Sequence, residues 1–235
     1  VEYPVLAALV DHKLKELDYR LSMSHEVEFI GYNHPDGRRT YLRSLCFVLQ
    51  NAVRELFPDK VLIVDHSLPS GLYCNICDVE LREDGRRVPV LLSDADLAAI
   101  KKRMHEIVAA DMPFVKKKIE ASAAEALFEK NNQPDKAELQ KSLGKFICSV
   151  YFLDGQVDTF HGPLLPSTGY LKVFDLLPFA NGFCLQFPSE GDFSKVIPVK
   201  TQSKIAATLA AYSDWCSIVR VNGIGTLNRA ITEGN

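Results

Sequence analysis

Cys74 and Cys77 form a Cys-x-x-Cys pair, the spacing used for thiol–disulfide exchange or for half of a zinc site. The pair stands alone, and Leu72-Tyr73-Cys74-Asn75-Ile76 has the character of a strand, along which positions three apart point to opposite faces. Metal or redox chemistry is therefore not expected there. Val64-Asp65-His66-Ser67 contains the three residue types of a hydrolytic triad, but neighbours along a strand diverge and cannot form one. Gly223-Ile224-Gly225-Thr226 is a glycine-rich turn before a helix. It lacks the lysine and the spacing of a Gly-x-x-x-x-Gly-Lys-Ser/Thr phosphate loop. Lys101-Lys102-Arg103 and Lys116-Lys117-Lys118 are most simply solvated faces. The formal net charge is -3, which supplies no bulk attraction to nucleic acid or anionic membrane.

These residues need a frame. The chain has 235 residues, 47% hydrophobic and 24% charged, enough for one large domain or two small ones. No apolar run approaches the roughly 20 residues of a membrane span. Val1-Glu2-Tyr3-Pro4 carries no basic leader, so a cytoplasmic location with reduced thiols is expected. Cys46, Cys148, Cys184 and Cys216 sit among apolar neighbours as small core residues.

Leu6, Leu9, Val10 and Leu14 have helical spacing, and Val27–Tyr32 alternates like a strand. Asn33-His34-Pro35-Asp36-Gly37 has turn chemistry. Leu42, Leu45, Leu49, Ala52, Val53 and Leu56 make one helical stripe over 41–57. Strands follow at 61–64 and from Gly71, with a hairpin turning at Glu83-Asp84-Gly85. Ser93 and Asp96 form a capping box for a helix from Asp94 to about Ala110. After a basic strand, helices are expected at 122–130 and 137–143, then strands at 147–153, 156–160, 169–174 and 183–187. Two final helices are expected at about 203–215 and 225–232.

The order of these elements resembles the N-terminal half of threonyl-tRNA synthetase over roughly residues 5–190. The resemblance rests on Ser70-Gly71-Leu72-Tyr73, Ile100–Ile107, Phe114–Ile119 and Asp158-Thr159-Phe160-His161-Gly162-Pro163-Leu164. It implies an α+β fold: a partial β-grasp module over 1–40, an editing-like domain with an antiparallel sheet and packed helices over 41–190, and a helical linker over 191–235. In that family two histidines one helical turn apart, with a cysteine and a histidine from a later strand and loop, form the editing site. Those positions fall here at Arg43, Phe47, Phe160 and Leu164, none a good metal ligand. No catalytic residue and no cofactor is therefore expected for the chain. The same cleft offers Arg43, His66, Tyr73, Asp158, His161, Ser167, Thr168 and Tyr170 as ligand-binding candidates. Alternatively, Phe47, Phe160 and Leu164 fill a vacated pocket as core.

Tyr3–Val10, Tyr41–Leu49, Pro166–Phe174 and Asn222–Asn228 resemble a narrower group, the N-terminal region of bacterial uridine kinase-like nucleoside kinases. The resemblance implies a non-catalytic module preceding an ATP- and Mg-dependent kinase domain, which would be its partner in the same polypeptide. A small-molecule or RNA ligand, and no membrane, complete the expectation. A metal-independent editing-type hydrolase and an RNA-binding module are the alternatives.

Overall fold

The computed structural model describes residues 3–81 and 87–198, with positions 208, 211, 212, 215, 218, 227, 228, 231 and 232. The chain is mixed α+β: among the described residues four α-helices pack against three antiparallel sheets.

Strands β1 (Val5–Val10) and β2 (Lys13–Lys15) form a hairpin, and β3 (Val27–Gly31) pairs with the other side of β1. The helix suggested by Leu6, Leu9, Val10 and Leu14 is thus two strands. Asp11 and His12 both take positive φ (47° and 61°), closing a two-residue turn that breaks the periodicity. Helix α1 (Pro35–Leu56) starts six residues before the stripe at 41, so the stretch read as a turn is its first turn. His34 Nδ1 accepts from the Asp36 backbone at 3.1 Å, and Pro35 occupies a position whose N–H needs no partner. Gly37 lets α1 lie against the end of β3, because a Cβ there would run into the Gly31 carbonyl. Residue 40, the expected end of the first module, lies inside this helix.

The second sheet contains β4 (Lys60–Leu68), β5 (Gly71–Leu81), β6 (Arg87–Pro89), β10 (Asp175–Phe179) and β11 (Gly182–Gln186). Its order is β10-β11-β5-β4, with β6 paired to β5. The turn at Glu83-Asp84-Gly85 lies outside the described residues. Helix α2 (Asp94–Ala109) begins with the complete Ser93/Asp96 capping box. The third sheet is β7 (Val115–Glu120), β8 (Ile147–Leu153) and β9 (Gln156–Asp158), covered by α3 (Ala121–Lys130) and α4 (Pro134–Leu143). The strand expected at 169–174 is instead a 3-10 turn, Thr168–Tyr170, followed by irregular chain. Buried Thr168 causes this: its hydroxyl donates to Ile107 O (2.8 Å) and accepts from Met112 N (2.9 Å), tying the segment to the end of α2. The two C-terminal helices lie mostly outside the described residues; the described positions within both ranges are helical.

One core surrounds α1, with Leu45, Phe47, Val48, Leu49 and Ala52 against Ile76, Ile100, Met104 and Phe183. Leu6 and Tyr32 of the N-terminal segment belong to the same core. A smaller one joins Ala124, Phe128 and Ala137 to Cys148, Val150 and Val157. No helix among the described residues is long and apolar enough to cross a membrane.

Candidate functional site

Arg43, Phe47 and Arg54 share one face of α1, at spacings of one and three turns, and that face meets the chain from Leu153 to Leu165. The contact runs from end to end. Arg54 Nη1 donates to Gln156 Oε1 (3.1 Å), and Asn51 Nδ2 donates to Leu153 O (3.0 Å). The Phe47 ring lies 5.3 Å from Phe160 and 5.9 Å from Phe114, centre to centre. Phe160 in turn meets Tyr151 edge-on at 6.0 Å. Ser44 Oγ accepts from Leu165 N (2.9 Å) and donates back to Thr40 O (2.9 Å). Arg43 Nε donates to Pro163 O (3.0 Å), and its Nη2 donates to Thr40 Oγ1 (3.0 Å).

At the four positions where the resemblance places the synthetase family's ligands, the chain has a plug. Phe47 has no exposed surface, Leu164 is buried, and Phe160 closes over Phe47. The aromatic rings and Leu164 offer no lone pair, and a guanidinium keeps its proton even though burial lowers the Arg43 pKa. These residues do not fit a metal ion. Gly162 (φ 130°) lies directly on the guanidinium of Arg43, where a Cβ would collide, so the loop closes tightly over the cation. Among the described residues no three His, Cys, Asp or Glu side chains are grouped to share a metal.

The eight candidate residues fall into three groups. Arg43, Asp158 and His161 belong to the α1–β9 region, with His161 exposed in the loop. Buried Asp158 accepts from Lys136 Nζ on α4 and from the Thr159 backbone (2.6 Å). His66 and Tyr73 pair across β4 and β5 with ring centres 4.9 Å apart, and Nε2 of His66 is buried without a partner. Burial raises the Tyr73 pKa. Ser167, Thr168 and Tyr170 surround the end of α2, where Ser167 Oγ donates to Asp111 Oδ1 (2.5 Å). No hydrogen bond, ion pair or ring contact joins one group to another among the described residues.

The cysteine pair is buried, and most of the basic side chains in the two runs have partners. Cys74 and Cys77 are buried free thiols, the latter pushed up to about 11 by burial. Lys101 pairs with Asp175 (2.7 Å), and Arg103 with Glu55 (2.5 Å) and Glu106 (3.1 Å). Lys116 pairs with Glu16 (3.0 Å), and Lys117 lies over the Phe152 ring at 5.0 Å. The sequence reading missed Lys136, whose contact with Asp158 spans 22 positions, and Gln133, whose Nε2 donates to Val157 O (2.9 Å). Neither has a local signature, and Gln133 sits in a stretch that looks only like a helix breaker.

No family model matches the chain. It is similar to threonine–tRNA ligases: that of Desulforamulus reducens is 32% identical over 181 residues, 76% of this chain and 27% of that protein. The Symbiobacterium thermophilum protein is 30% identical over 179 residues (76% and 26%), and a Porphyromonas gingivalis one 26% over 183 (78% and 27%). The chain thus spans about a quarter of the length of the curated relatives it matches, and over three quarters of its own length its homologues are segments of threonine–tRNA ligases.

Proposed function

We propose that the chain is a non-catalytic synthetase-type editing module in which the family's cleft is closed by its own side chains. The observation that carries this is the plug: Arg43, Phe47, Phe160 and Leu164, which stand where the resemblance puts the ligands of the family's site, have the aromatic side chains packed on one another and Arg43 bonded to protein oxygens. These four side chains offer no base to activate a water and no ligand for an ion that would polarise an ester. No cofactor is assigned to the chain. RNA binding through the two basic runs is the weaker form of the proposal, because their pairing with acids and aromatic rings lowers the charge they present.

A second reading places the module before an ATP- and Mg-dependent nucleoside kinase domain, its partner in one polypeptide. The loss of the editing ligands favours it, since a module serving another enzyme has no ester to cleave, as does the Pro166–Phe174 run. The threonine–tRNA ligase relatives lend it no support.

Deacylation of aminoacyl-tRNA tests the proposal. The purified chain is expected to leave the ester at its rate in buffer, with or without zinc, and His161→Ala is expected to change nothing. Hydrolysis that disappears in His161→Ala would establish the metal-independent hydrolase instead, and a zinc-stimulated rate would overturn the assignment of the four positions.

A further inference from the structure

At the other end of the same helix the chain leaves a cleft of about 410 Å³ beside β4. One wall is the apolar stretch Val61–Val64 of that strand, and the other is the α3–α4 connection with the first turn of α4. β4 ends its sheet: the order β10-β11-β5-β4 gives it β5 on one side and no strand on the other.

The ladder shows which groups that open edge presents. Ile76 of β5 stands opposite Leu62, and its carbonyl accepts from Val90 N (2.7 Å) on the far side of β5. The N–H and C=O of one strand residue point the same way, so Leu62 and Ile76 form a non-hydrogen-bonded pair. Leu62, and Val64 two residues on, therefore turn their main-chain groups away from β5, at the edge where both residues line the cleft. No hydrogen bond meets those groups among the described residues. Edge strands are ordinarily guarded by a proline or a charge. Val61-Leu62-Ile63-Val64 has neither, and Val64 is 41% exposed.

The facing wall selects the partner. Five basic side chains line the cleft (Arg54, Lys60, Arg87, Lys130 and Lys136), against a single acidic one, Asp135. Lys60 pairs with Asp78 (2.6 Å), Arg87 with Asp135 (2.8 Å), and Lys136 with Asp158, so cations stay in excess. Arg54 and Lys130 have no carboxylate partner among the described residues, Arg54 bonding only the neutral oxygens of Gln156 and Val157. A second copy of β4 laid along this edge would bring the same cations against these. We propose that the β4 edge takes up an acidic segment of a partner protein as an added strand, its main chain on Leu62 and Val64 and its carboxylates towards Lys130. Single-stranded RNA matches the charge but has no row of alternating N–H and C=O groups. The edge is separate from the plug, so the two proposals fail independently.

The test is fluorescence anisotropy of the 235-residue chain with labelled decapeptides and a labelled decauridylate. A peptide of alternating glutamate and valine is expected to bind saturably. Alternating lysine and valine, and the acidic peptide with proline at its central valines, are each expected to bind about tenfold or more weakly. Val64→Pro is the edge variant, because the Val64 N–H serves no bond to β5 and proline is tolerated at such positions. It is expected to weaken the acidic peptide about tenfold or more, and the exposed change Lys130→Glu about threefold, with melting curves as control. If Val64→Pro lowers the melting temperature, the proline-bearing peptide on the unaltered chain decides. No saturable binding of the acidic peptide overturns the proposal, as does binding indifferent to its central prolines. Binding of decauridylate alone would assign the cleft to RNA, and a dimer that Val64→Pro dissociates would assign the edge to a second copy; either overturns the acidic strand.

Discussion

Two halves of one helix face the same stretch of chain with opposite results. Around Arg43 and Phe47, the groups that α1 presents are met: a cation by the Pro163 carbonyl, a hydroxyl by the Leu165 amide, a ring by two rings, and one turn on only the Asn51 Oδ1 is buried without a partner. Around Arg54, three turns on, α1 helps to line a cleft whose cations outnumber its acids and whose glutamine acceptor is unmet. The difference lies in side-chain types rather than backbone, since both halves hydrogen-bond to the same segment. Aromatic rings close the first half, because Phe47, Phe114 and Phe160 pack on one another and gain by excluding water. The second half has five basic side chains beside its apolar strand, and closing it over the two that lack a carboxylate, Arg54 and Lys130, would bury charge without compensation.

The sharpest way to break the comparison is to remove the plug. Phe47→Ala deletes a fully buried ring contacting Phe114 and Phe160, and is expected to destabilise the chain by about 3–5 kcal/mol in denaturant unfolding. A loss below about 1 kcal/mol would mean that the closed half is as loosely held as the cleft, and the contrast would be gone.

A smaller effect per group separates the halves by pH. Burial pushes Cys46, beside Phe47 on α1, up to about 12, and Cys77, opposite Val61 on the cleft wall, up to about 11. Unfolded thiols ionise near about 8.5, so above that pH the unfolded chain sheds protons that the folded chain keeps. Stability is therefore level below about pH 8.5 and falls as the pH rises towards the folded values, by at most about 1.4 kcal/mol per pH unit for each thiol. Denaturant unfolding followed from about pH 8 to about pH 11 should show this fall. A level profile would mean that both thiols ionise as freely in the fold as in the unfolded chain.

Legibility in the sequence follows the same division. The α1 stripe, the Ser93 cap and the strands at β4, β5 and β8 could be read because burial on one face and capping chemistry are local. The β1–β2 hairpin was hidden because two positive-φ residues, Asp11 and His12, interrupt a run whose apolar spacing suits a helix. The plug positions could be found from a family resemblance, which fixes spacing between distant residues. The cleft could not: Arg54, Gln133 and Lys136 are brought together by the packing of α4 on β9, and nothing at those positions announces a partner.

The smallest expected effect falls on the residue that looks most like chemistry. His161 follows Phe160, yet its side chain is exposed while Phe160 turns inward onto Phe47 and Tyr151. The loop is held by its neighbours instead, through Pro163 O on Arg43 and through Gly162, whose carbonyl lies 3.2 Å from the Tyr151 hydroxyl. His161→Ala should therefore shift stability by no more than about 0.5 kcal/mol, the range of an exposed side chain without a fixed role. A larger loss would mean that the imidazole supports the closed half from outside. Gly162→Ala is the informative contrast, since a methyl group there meets the guanidinium of Arg43 at a backbone angle that suits only glycine. If both variants proved silent, the loop would not be clamped on Arg43 at all, and the closed half would extend no further than its aromatic rings.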